Sequence, residues 1–144
     1  MVRDVTVHVA YRPDRSMRVV VLGPEEPVEA GTTHLTAEVG PIAAAGVRAV
    51  YGAEPVSVHL RLDRPPWLER GMIVRLTPED TDGMTHPYGQ VMGFLPVGGV
   101  IVVHPEASAG IYPPELLTPM DPTHVPPDTL ADIVRKTDCP ARQP

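Results

Sequence analysis

Aromatic side chains are scarce, making up 4% of the 144 residues, so a core here has to be built from Val, Leu, Ile, Ala and Met. Cysteine occurs once, at Cys139, which excludes an intramolecular disulfide framework and suits a reducing compartment. Lysine also occurs once, at Lys136, and the formal charge is -6. No basic cluster stands out along the chain, as a phosphate-binding face would require. Asparagine is absent while Arg, Pro, Gly and Ala are abundant, a coding bias of GC-rich genomes that fits a bacterium or a phage of one. No apolar run reaches membrane-spanning length, and no charged start leads into an apolar signal segment. The expectation is a soluble, cytoplasmic protein, or a virion component if its origin is a phage.

What the chain does have is valine, proline and glycine. Hydrophobic residues reach 42%, and 19 prolines with 12 glycines are too many for a helical bundle. They predict a mainly β protein of short strands joined by stiff turns. A chain of this length forms one domain or two very small ones and buries roughly two-thirds of its extended surface.

Residues 71–119 organise the reading. Ile73-Val74-Arg75-Leu76, Gln90-Val91-Met92-Gly93-Phe94-Leu95 and Val100-Ile101-Val102-Val103 are strand-length apolar runs separated by turn-forming clusters. Upstream, Val5-Thr6-Val7-His8-Val9-Ala10-Tyr11 alternates as a half-buried strand, and Met17 to Leu22 returns as its hairpin partner. Residues 32–39, 47–51 and 56–62 read as further strands, with no more than one helical turn over Pro41-Ile42-Ala43-Ala44-Ala45-Gly46. The echo of VTVHV (5–9) in VSVHL (56–60) is explained by strand chemistry without duplication.

Arg64-Pro65-Pro66-Trp67 marks a boundary because paired prolines break strand pairing. The expected organisation is an N-terminal antiparallel β region over 1–64, a small barrel over 65–121 and a proline-rich arm over 122–144. In the arm, residues 128–136 read as a short helix capped by Asp128, with Leu130, Ile133 and Val134 as its apolar stripe. A helix this short needs a body to dock on, and the barrel is the nearest one. From Cys139 onward the chain reads as a disordered tail.

Gly71 ahead of Met72-Ile73-Val74, then Gly89-Gln90-Val91, then the Gly98-Gly99 turn, and finally Gly110-Ile111-Tyr112-Pro113-Pro114-Glu115-Leu116-Leu117, form a pattern that resembles SH3-like small barrels and, among them, KOW-type modules. The resemblance covers about a third of the chain. It implies a small-barrel fold and, for some members of the family, nucleic-acid association. The departure lies in residues 77–90, where such modules often carry basic residues: here they hold Glu79, Asp80 and Asp82 and neither Lys nor Arg. An acidic loop repels phosphate, so nucleic acid is not the expected partner.

Catalytic chemistry finds little footing. Ser16, Ser57 and Ser108 lack a nucleophile-elbow frame, and Cys139 has no thiolate-stabilising surroundings in sequence. Glu79-Asp80-Thr81-Asp82-Gly83 does not follow a calcium-loop spacing and reads as a solvated turn. His8, His34, His59, His86, His104 and His124 show no H-x-H or H-x-x-x-H spacing, so a metal-dependent enzyme using surface histidines stays the minor alternative. No cofactor or metal is expected. The reading is therefore a non-enzymatic protein-binding or assembly module, one form of which is a structural subunit of a larger assembly such as a phage virion; its alternative is a KOW-like nucleic-acid-associated protein. The partner is a protein or further copies of the chain, with no membrane involved. Trp67, Tyr88, Tyr112 and Pro113 are the expected binding residues, because tyrosines flanked by Pro and Gly suit a protein surface or a proline-rich peptide.

Overall fold

The computed structural model describes residues 2–23, 26–77, 87–96, 98–105 and 109–144. The protein is mainly β, with two sheets and a short C-terminal helix, and divides into two compact units, Met1–Asp63 and Arg64–Pro144.

In the first unit β1 (Arg3–Tyr11), β2 (Met17–Leu22), β3 (Pro27–Thr33) and β4 (Val56–Leu62) form one sheet in the order β3-β2-β1-β4, with α1 (Val39–Tyr51) packed on β2 and β3. Alternation in β1 and β2 puts Val5, Val7, Val9, Met17, Val19 and Val21 on the face toward α1, all essentially inaccessible to water. The sheet is mixed: β1 runs antiparallel to β2 but parallel to β4, with Val5 opposite Val58 and Val7 opposite Leu60. The similar stretches VTVHV and VSVHL are thus neighbours, exposing His8 and His59 on the sheet's solvent face, where they meet Asp63 (2.9 Å) and Asp4 (3.4 Å).

Helix α1 corrects the expectation of strands over 32–39 and 47–51 around a single turn. Val39, Ala43, Gly46 and Val47 are buried at i, i+4, i+7 and i+8, a helical stripe whose β-branched members also satisfy strand propensity. Packing decides the conflict. A Cβ on Gly46 would lie 2.5 Å from the Ala30 Cβ and 3.0 Å from a Val21 methyl, so the missing side chain is what lets α1 lie against the sheet. Pro41 falls in the first turn, where its absent N–H costs nothing.

In the second unit β5 (Ile73–Leu76), β6 (Tyr88–Phe94), β7 (Val100–Val103), β8 (Ala109–Tyr112) and β9 (Leu117–Met120) are all antiparallel in the order β8-β7-β6-β5-β9. A 3-10 turn, Pro114–Leu116, joins β8 to β9. Among the described residues no ladder joins β8 to β9, so the sheet keeps two edges and is not closed. Its strands have opposite faces buried against different partners. Val74, Leu76, Val91, Val100, Val102 and Leu117 form one core with Leu68. Ile73 lies on the other face with Val125 and Ile133.

The residue that fixes that second face is Ile133, fully buried on α2 (Pro127–Thr137), which packs on β6 and β7. The docking expected for this segment is what the chain does with it. The cap differs: Pro126 holds the cap position without a side-chain bond, and Asp128 sits in the first turn. The tail also differs from the disordered segment expected of it. The Gln90 amide, fully buried, donates from Nε2 to the carbonyls of Gly71 (3.0 Å), Cys139 (3.1 Å) and Pro140 (3.3 Å). Its Oε1 accepts from the Thr137 hydroxyl, and the Arg142 N–H donates to Gly71 O at 2.9 Å. Gly71 itself has φ +97°, a conformation open to glycine and strained for other residues. A buried amide surrounded by acceptors ties the last residues to the start of β5.

Candidate binding surface

The four residues expected to bind do not form one surface. Trp67 and Tyr112 are half-buried against the core of Val74, Val91 and Val102, as is Phe94. Tyr88 belongs to the other face, beside Ile73 and Ile133, with the Arg75 guanidinium 5.9 Å above its ring. The alternation of β5 and β6 imposes this: Tyr88 pairs with Arg75 and Gln90 with Ile73, so these four share the face that receives α2. Neither tyrosine lies in a loop, since Tyr88 opens β6 and Tyr112 ends β8. Pro113 takes the N-cap position of the 3-10 turn.

A buried histidine links the two tyrosines. His104 Nδ1 is 3.0 Å from the Tyr88 carbonyl, which can only accept, so Nδ1 carries a proton. In the neutral ring Nε2 then accepts from the Tyr112 hydroxyl at 2.8 Å, with the two rings edge to face. At 3% exposure His104 is a satisfied structural group and presents nothing to a ligand. Among the described residues no three His, Cys, Asp or Glu side chains converge as metal ligands would. The acidic stretch 79–83 and His86 lie outside the described residues.

Among the described residues an open groove of about 480 Å³ lies beside β6 and the turns that precede β5. Two consecutive turns build one wall: Leu68 N–H donates to Pro65 O (3.2 Å) and Met72 N–H to Glu69 O (3.1 Å). Pro65 and Leu68 are buried and hold the wall in place, while Arg64, Glu69 and Arg70 stay exposed at its rim. Phe94, at the end of β6, lies beneath the Arg64 guanidinium, whose carbon is 5.0 Å from the ring centroid. The third guanidinium comes from the tail: the backbone bridge from Met72 to Arg142 places Arg142 in the groove, where it meets Glu69 at 2.8 Å.

This convergence of Arg64, Arg70 and Arg142 is invisible in sequence. Arg64 and Arg70 are close in the chain, but turns bring them around one concavity, and Arg142 arrives from a segment that reads as unstructured. The clue available was Gln90, a polar residue inside a valine-rich strand run: a buried amide needs acceptors, and the tail supplies two of the three carbonyls.

Among the described residues two carboxyls, both in turns, are shifted from the ordinary aspartate value. The Ser16 hydroxyl and then its N–H hold the Asp14 carboxyl below the ordinary aspartate value, and the N–H and hydroxyl of Thr123 do the same for Asp121. These are side-chain-closed turns.

The chain matches no family model, and no curated protein or solved structure matches it.

Proposed function

We propose that the protein is a non-enzymatic binding or assembly module, acting through a protein partner or through further copies of itself in the cytoplasm or in a virion. The second unit is proposed as an SH3-like small barrel related to KOW-type modules. The support is topological: the first strand of the unit lies between the second and the fifth, the fourth is at the far edge, and a 3-10 turn separates the fourth from the fifth. The observation that carries the binding reading is the groove, which is open, walled by two consecutive turns and lined by guanidinium groups without an acid–base pair or nucleophile among them. A nucleic-acid-associated role is the second reading, favoured by those guanidinium groups and opposed by the Glu69 carboxylate in their midst.

Light scattering on the purified chain, from micromolar to millimolar concentration, tests the reading. A defined oligomer, or a stoichiometric complex when a partner is added, is expected. A strict monomer that forms no complex and turns over a small-molecule substrate refutes it.

A further inference from the structure

We propose that the Arg64–Arg70–Arg142 groove binds a carboxylate-rich segment of a partner protein, with Arg64 and Arg70 as the two receiving groups. The inference rests on the reading of the chain as a protein-binding module and names the chemistry of the partner. The groove reverses the sign of a chain whose formal charge is -6. Of its three guanidinium groups, Arg142 is neutralised by Glu69 at 2.8 Å. Arg64 lies exposed over the Phe94 ring at 5.0 Å and, among the described residues, makes no salt bridge; stacking on a ring face still lets a guanidinium bond a carboxylate through its edge. Arg70 makes no salt bridge among the described residues. Two positive charges therefore remain at the rim of the concavity, unbalanced by a carboxylate of the groove.

Carboxylate fits this arrangement better than a polyanionic backbone does. The planar fork of Arg receives a carboxylate through two parallel N–H···O bonds. Nucleic acid carries a phosphate charge about every 1.7 Å of duplex axis and calls for a basic stripe along its path. Here the charge is confined to one concavity that contains a carboxylate of its own. The volume of about 480 Å³ accommodates a few side chains. Beside the guanidinium groups, exposed Pro66 and half-buried Phe94 offer apolar wall to the neighbours of an acidic residue. The partner segment is thus acidic residues interspersed with apolar ones.

The test is fluorescence anisotropy of a labelled hexapeptide alternating Glu with Leu or Val, at physiological salt. The same peptide with Gln for Glu, a single-stranded oligonucleotide of equal charge and inorganic phosphate are the competitors. Binding of the Glu peptide is expected, weakening as salt rises, with a loss of about tenfold, or about 1.4 kcal/mol, in Arg70→Glu and in Arg64→Glu. Arg135→Glu, on the exposed side of α2, should leave it unchanged. Both groove positions are exposed, and an unaltered Trp67 unfolding transition verifies that each variant is folded. Equal affinity for the Gln peptide, tighter binding of the oligonucleotide, or displacement by phosphate where acetate fails overturns the proposal. So does self-association abolished by Arg70→Glu without peptide binding, which would make a second copy the occupant. A complex or oligomer that survives both groove substitutions refutes the groove and leaves the module reading intact.

Discussion

Replacing Ile133 by Ala should cost the second unit about 3 kcal/mol while leaving the first untouched. Ile133 is fully buried between Ile73 and Val125, with Leu130, Met120, Tyr88 and Ala141 around it. The substitution removes three carbons, or roughly 2.4 kcal/mol at about 0.8 kcal/mol each. The hole that remains adds to this, within the range of about 2–5 kcal/mol typical of such truncations. An eleven-residue helix has no stability of its own to fall back on, so weakening its anchor loosens the whole of α2 and uncovers Ile73 and Tyr88. Trp67 is the only tryptophan and lies in the second unit, so its fluorescence reports that unit alone during urea or thermal unfolding. At roughly 5 °C per kcal/mol the midpoint should fall by about 15 °C. Val134→Ala, at a half-buried position on the same helix, should move it by a third of that or less. If Ile133→Ala shifts the Trp67 transition no further than Val134→Ala does, α2 is not an anchored part of this unit.

Gly46→Ala should destabilise the first unit by about 1 kcal/mol, because the clash with Ala30 outweighs the helix-propensity gain; Gly40→Ala, with nothing within 4 Å of its added methyl, should stabilise the same helix by up to about 1 kcal/mol. Far-UV circular dichroism in urea separates the two, and the reverse order would mean that α1 does not lie against β3 as described. Gln90→Glu would aim carboxylate oxygens at the carbonyls of Gly71, Cys139 and Pro140; a cost of at least about 2 kcal/mol and faster hydrogen exchange at the Arg142 amide are expected, and unchanged exchange would remove the tail's tether. In an NMR acid titration the Asp14 and Asp121 carboxyls should have midpoints below the ordinary aspartate value. Because folding lowers both, their stabilisation is present above the unfolded value near 3.8 and fades as pH falls through the folded one. Replacing Ser16 or Thr123 by Ala should move the corresponding midpoint upward, and no movement would mean that the turn bond is not made.

The strands were legible wherever one force set them. In β1, β2, β5 and β7 alternation or continuous burial agrees with β-propensity; the limits of β2, β5 and β7 fall on the runs read from sequence, and β1 begins two residues before its run, at Arg3. α1 was not legible, because Val39, Val47 and Val50 carry strand propensity and the helical stripe needs Gly46, a residue that weakens helices, at its closest contact. That glycine is costly to an isolated helix and necessary to a packed one, a trade that only the tertiary contact reveals. The direction of β4 was equally hidden: it follows from the length of α1, which carries the chain from β3 across the sheet to lie parallel to β1.

The four residues expected to bind are separated for a related reason. Nearness in sequence and aromatic character do not by themselves put Trp67, Tyr88, Tyr112 and Pro113 on one face. A strand separates consecutive residues onto opposite faces, and β6 sends Tyr88 toward α2 while its neighbours serve the other core. With so few aromatics available, the unit spends them on packing, and His104 closes the hydrogen bond that the Tyr112 hydroxyl requires when half-buried. Exposure is left to arginine, whose long side chain can rest on apolar surface with its charge in water, as Arg64 does on Phe94. The groove gathers three arginines, and the third is held there by the tail's bonds to Gln90 and Gly71. Loosening that tether should open the Arg142–Glu69 pair and leave Glu69 free to repel an acidic ligand. Gln90→Glu is thus expected to weaken peptide binding without touching the groove, whereas undiminished affinity in that variant would show that Arg64 and Arg70 act without the tail.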